Sequence, residues 1–150
     1  MRNLSLGYAA VTLFPEDEID AGQVGYAVDP DGHPLTGGAD GDWRRAWLVI
    51  GHEESTGDPI FIDFEKPMMP VCTAMHGMGD WQPEQIADSA AAFLRSLEVV
   101  AEVAHGRESP EAVKHNPVGD DERTRALRRV QELNPRSDLQ FWRMLLDEEF

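Results

Sequence analysis

The chain has 150 residues and a mass of 16.7 kDa, and 28 acidic side chains against 13 basic ones leave a formal net charge of −15. A nucleic-acid binder needs clustered Lys and Arg to displace counterions from phosphates, and an anionic membrane face repels so negative a surface, so both are excluded as direct partners. The length predicts one domain over residues 1–150, which buries about 68–70% of the unfolded chain's surface and needs no covalent staple.

Cys72 is the single cysteine. It cannot form an intramolecular disulfide or a Cys-rich zinc site, which fits a reducing compartment. The apolar stretch at residues 9–14 is short and runs into Pro15-Glu16-Asp17-Glu18, unlike a secretory signal. The longest apolar helical segment, residues 86–104, carries Asp88, Arg95, Glu98 and Glu102, unlike a membrane span. The expectation is a soluble cytoplasmic protein.

Along the chain, residues 8–14 (Tyr-Ala-Ala-Val-Thr-Leu-Phe) predict a first strand, after which Pro15 opens a helical turn carrying Glu16, Asp17 and Glu18. Residues 23–28 predict a second strand. Residues 29–42 are nearly all turn formers and predict a mobile surface loop, with Asp29, Asp31, Asp40 and Asp42 on it. Residues 46–50 and 59–64 are almost continuously apolar and flank residues 51–58, the pattern of a hairpin with a long tip. These two strands are expected at the centre of the sheet, with both faces covered at least partly by the helices that follow. A shorter strand is predicted at 70–74, with the sheet ending in the turn at 75–80.

Pro83 predicts the start of a helix whose buried stripe is Ile86, Ala90, Phe93, Leu94, Leu97, Ala101 and Ala104, closed by Gly106. A second helix is predicted over 121–133, with acids first, four arginines inside, and Ala126, Leu127, Val130 and Leu133 on one face. Ser137-Asp138-Leu139-Gln140 has capping-box spacing ahead of a last helix facing inward through Leu139, Trp142, Leu145 and Leu146, so the late helices span 121–147. The predicted class is α+β: a central, mainly antiparallel sheet with C-terminal helices packed on it.

No catalytic constellation stands out, and no cofactor or metal site is predicted. His52-Glu53 lacks the second histidine of a helical zinc motif, since position 56 is Thr. Asp29-Pro30-Asp31-Gly32 has Pro34 where a calcium loop needs glycine and reads as a turn. Gly77-Met78-Gly79 lacks the Lys and Ser/Thr of a phosphate loop. Cys72 reads as a buried, inert thiol, and Met68, Met69, Met75 and Met78 read as core filling, with an adaptable contact surface as the alternative.

The series Trp47-Leu48-Val49-Ile50-Gly51, Gly57-Asp58-Pro59-Ile60-Phe61-Ile62-Asp63, Pro70-Val71, His76-Gly77, Trp81, Ile86-Ala87-Asp88-Ser89 and Phe93-Leu94 resembles the SMI1/KNR4 (SUKH) superfamily. It covers about residues 46–97, and Asn134 with Phe141-Trp142 resembles the family's late helical segment. The resemblance implies a SUKH-type fold and, for bacterial members, an immunity protein that binds and neutralises a cognate toxin of a polymorphic or contact-dependent system, often a nuclease. Fungal members regulate cell-wall synthesis.

Combined with the charge, the leading expectation is a non-enzymatic, stoichiometric inhibitor of a basic toxin. Its contacts would be Glu53, Glu54 and Asp58 at the hairpin tip, with Glu16, Asp17, Glu18, Asp29, Asp31, Asp40 and Asp42 in the loops. The alternatives are an adaptor or regulator without a toxin partner, and a small metal-dependent hydrolase using His52, Glu53 and Asp58.

Overall fold

The two apolar runs of the hairpin pair through the middle of a sheet, where strands lacking polar alternation must lie. The computed structural model describes residues 3–148. Six strands, β1 (Asn3–Ser5), β2 (Ala10–Leu13), β3 (Trp47–Glu53), β4 (Asp58–Asp63), β5 (Val71–Thr73) and β6 (Glu84–Ala87), stand in chain order, each antiparallel to the next. Four helices follow: α1 (Ala90–Ala104), α2 (Pro110–His115), α3 (Asp120–Leu133) and α4 (Gln140–Leu146). The class is therefore α+β, as expected.

Neighbouring strand residues enter different cores. Ile60 and Val71 join Leu4, Val11 and Ile86 against Phe93, Leu97, Val100, Val130, Trp142 and Leu145 of the helices. Phe61 and Cys72 join Trp43, Trp47, Val49 and Ala74 on the other face, beneath Phe14, Tyr26, Ala27 and Trp81. Both faces of the central strands are covered, the second one by the long β2–β3 connection together with Trp81 of the β5–β6 connection rather than by helices. Gly51 sits where the register of β3 shifts, and a Cβ there would lie 2.1 Å from the Thr12 carbonyl oxygen, so β2 and β3 approach only because the residue is glycine.

Several expectations need correction. Residues 23–28 are not a strand: a 3₁₀ turn at Ala21–Gln23 leads to Gly25 at φ +93°, and only isolated bridges form beyond it. The sheet does not end at residue 74. Residues 84–87 add β6, whose Ile86 carbonyl accepts from Trp142 Nε1 at 2.7 Å, and α1 begins only at Ala90, where Ser89 Oγ accepts from the Ala92 N–H. Leu94 is 48% exposed, and Ser96, Val100 and Val103 take its place in the buried stripe. Ser137 does not cap α4, because its hydroxyl donates to Asp88 Oδ1 at 2.6 Å. Two short elements, β1 and α2, escaped the sequence patterns.

Buried polar side chains join the layers. Asn134, fully buried, accepts from the Asp88 N–H and donates to Ser96 Oγ and the Val130 carbonyl, tying the end of α3 to the β6–α1 junction. Arg107 forks onto both carboxylate oxygens of Glu122 at 2.9 and 3.0 Å and donates to the Val103 and Asn116 carbonyls.

Candidate functional site

The β3–β4 hairpin is tighter than its sequence predicts. β3 continues through Gly51, His52 and Glu53, which leaves a four-residue tip at 54–57. Glu53 is only 1% exposed. Its Oε1 accepts from the Ala10 and Ser55 N–H groups and its Oε2 from the Thr56 N–H, while the Ser55 and Thr56 hydroxyls donate to it at 2.7 and 2.8 Å. Its expected place on a partner-binding surface is therefore corrected. The turn needs an acceptor for its converging donors, and this carboxylate supplies it from inside. Glu54 is exposed at the tip, and Asp58 is half-buried.

Asp58 Oδ1 accepts from the His76 N–H at 3.0 Å and pairs with His76 Nδ1 at 2.6 Å. His52 shares a 3.0 Å hydrogen bond with the Tyr26 hydroxyl and meets Phe14 edge-on at 5.2 Å. Burial lowers the His52 pKa, with the Glu54 charge opposing, and raises that of Tyr26, with the Asp58 charge adding to the rise. The three residues considered for a hydrolase thus engage three different sets of partners and do not converge on one position.

The acidic loop is built partly from its own carboxylates. Asp29 Oδ1 accepts from the Asp31 and His33 N–H groups, and Asp42 Oδ2 from the Ala39 N–H. Asp31, Asp40, Glu16, Asp17 and Glu18 are exposed, while Asp29 and Asp42 are half-buried. Asp29, Asp31 and His33 have ligand-type atoms within 4.8 Å of one another, the geometry of an Asx turn closing on itself. A Cβ at Gly41 would lie 2.9 Å from the Gly79 carbonyl oxygen, so this loop abuts the turn at 75–80, and Asp40, Asp42 and Arg44 line a shallow hollow together with Asp80.

The four methionines at 68, 69, 75 and 78 are not core filling, whereas Met144 packs against the helical core. Met68, Met69, Met75 and Met78 are 56, 47, 61 and 64% exposed. Met75 and Met78 stand in an open groove of about 330 Å³ with Thr73, Ala74, Gln82 and the carboxylates of Asp58, Asp80 and Glu84. The signal lay in the sequence: glycines on both sides of Met78, each at positive φ, belong to a turn and cannot hold that side chain in a strand layer. A second groove, of about 350 Å³, lies between Lys66, Met68, Pro70 and Arg136, where Asp88 is already engaged by Ser137 and the Arg136 N–H.

Charge compensation divides the molecule. Among the described residues, the Arg–carboxylate pairs are Arg107–Glu122, Arg123–Asp120 and Arg129–Glu102, all in the helical half. The carboxylates of residues 3–65 have no Lys or Arg partner among the described residues, only the pairing of Asp29 with His33 and of Asp58 with His76. No helix among the described residues is long and apolar enough to cross a membrane. Compared with known protein families, curated proteins and solved structures, the chain matches none.

Proposed function

We propose that this protein is a stoichiometric inhibitor of a basic protein, specifically an immunity protein that neutralises a cognate toxin, with a nuclease as the toxin class its charge suits best. The observation that carries this reading is the acidity of the first half: residues 1–65 hold thirteen acids and three bases, and none of the carboxylates there pairs with an Arg or Lys among the described residues. Carboxylates left without cations repel one another, so the arrangement destabilises the free protein slightly and is relieved by a cationic partner. The cations that hold a nuclease on nucleic acid are such a partner, and covering them removes the substrate site. Glu54, Asp31, Asp40, Glu16, Asp17 and Glu18 are the exposed contacts. The resemblance to SUKH immunity proteins points the same way.

The test is to locate a toxin gene beside this one and co-express the two; a neighbourhood without a toxin gene counts against the reading. Co-purification as a fixed-ratio complex and protection of cells supports the reading. A neighbouring toxin that neither binds nor is neutralised overturns it.

A further inference from the structure

Met75 and Met78 are more than half exposed in a chain whose carboxylates outnumber its Lys and Arg 28 to 13. Thioether side chains this exposed add little to the core, yet they adapt their shape to whatever packs on them. Three carboxylates line the same groove of about 330 Å³, each on a different segment: Asp58 on β4, Asp80 in the turn after β5, and Glu84 on β6. None meets a Lys or Arg among the described residues. Asp58 holds His76, Asp80 Oδ2 accepts from Gln82 Nε2 at 3.1 Å, and Glu84 is partly desolvated, which raises its pKa with the Asp138 charge adding to the rise.

A groove lined by thioethers and three carboxylates disfavours an acidic occupant and leaves the carboxylates uncompensated under a purely apolar one. It suits a side chain that is apolar along its stem and cationic at its tip. The groove is at the small end of the size range of ligand sites, room for one or two side chains. A second copy of this chain is opposed by the repulsion between two molecules of charge −15.

We infer that this groove receives an arginine of a basic protein partner together with an adjacent apolar residue, the stem packing on Met75 and Met78 and the guanidinium forking onto Asp80 or Glu84. The inference rests on the reading that this half of the molecule binds a basic protein, and it names where that protein inserts.

The experiment is a titration of the full chain, labelled at its methionine methyls, with the blocked pentapeptide Gly-Leu-Arg-Leu-Gly. Gly-Leu-Glu-Leu-Gly and Gly-Gly-Arg-Gly-Gly are the controls. The expected result is saturable shifts of the Met75 and Met78 methyls at about millimolar peptide, with at least about tenfold weaker response to either control. Asp80→Asn with Glu84→Gln should abolish the preference for arginine over glutamate, while Met75→Ser with Met78→Ser, read through the backbone amides of Thr73, Ala74 and Glu84 because the methyl probes are gone, should weaken both leucine peptides. Met75 and Met78 are exposed and Asp80 and Glu84 half-buried, and an unchanged far-UV spectrum is the check that both pairs still fold. Equal response to all three peptides, shifts confined to other methionines, or concentration-dependent Met75 and Met78 shifts without peptide, which would assign the groove to a second copy, each overturn the inference. A failure here leaves toxin binding untouched, whereas loss of toxin binding with a working groove condemns only the broader reading.

Discussion

The side-chain amide of Gln23 pairs with the backbone of Val49 as a neighbouring strand would: Oε1 accepts from the Val49 N–H at 3.0 Å, and Nε2 donates to the Val49 carbonyl at 2.8 Å. β2 pairs with β3 only at Gly51, His52 and Glu53, so a fully buried residue beyond that point needs a substitute ladder. The same Nε2 donates to the Ile19 carbonyl, which anchors the covering connection to the sheet. Gln23→Ala leaves a donor and an acceptor of Val49 unpaired and is expected to cost about 3 kcal/mol in urea unfolding. Gln23→Glu keeps the acceptor, faces a second acceptor with the other oxygen, and should cost no less.

Glu53 and Glu54 are adjacent carboxylates with opposite duties. Glu53→Gln replaces one acceptor oxygen by a donor among converging N–H and O–H groups, so about 2 kcal/mol of stability should be lost. Glu54→Lys, at an exposed position, should stay within about 0.5 kcal/mol. Chemical denaturation of both variants checks the pair, and an equal loss in the two would contradict the buried role of Glu53.

For partner binding, the triple reversal Asp31→Lys, Asp40→Lys and Glu54→Lys is expected to slow association with a basic toxin by at least about tenfold at low salt, while dissociation changes less. Stopped-flow association across a salt series reads this directly. Unchanged rates and an unchanged salt slope would remove the acidic face from the encounter.

At high pH, burial pushes the Tyr8 hydroxyl, which donates to the Leu145 carbonyl, up from 10.0 to about 12, and the Cys72 thiol up from 9.0 to about 11. Both groups ionise more readily in the unfolded chain. Their contribution is therefore complete below the unfolded values and is lost as pH rises, from 9 to 11 for Cys72 and from 10 to 12 for Tyr8. Denaturant midpoints should fall across that window, less steeply in Tyr8→Phe. The native Cys72 should resist thiol reagents at about pH 8 until the protein unfolds.

On the acid side, His52 is held below its ordinary 6.5 by burial. The unfolded chain then binds this proton first, so the His52 contribution is present above pH 6.5 and is lost as pH falls through the lowered folded value. His52→Gln should flatten the stability profile over that interval. Ring-proton shifts of wild-type His52 that titrate at or above the ordinary value would contradict it.

Read from the sequence alone, the strands at 8–14, 46–50, 59–64 and 70–74, the class α+β, the helix closed by Gly106 and the burial of Cys72 are all legible. Each depends on local pattern: apolar runs, a glycine at positive φ, an apolar residue inside a strand. The acidic excess was equally legible, since charge is a property of composition. Side-chain direction and partnership were set by packing between segments far apart in the chain. Glu53 and Glu54 read as one acidic tip, yet chain continuation along β3 turned the first inward. Met75 and Met78 read as core, yet the glycines around them carried the turn outside both hydrophobic layers. Ser137 had a capping motif at hand and was drawn instead to Asp88, across 49 residues of chain. Gln23 left its predicted strand for the backbone of Val49. Local sequence sets backbone propensity and charge, but a polar side chain takes the partner that remains unsatisfied after the layers pack, and that partner is fixed by contacts distant in sequence.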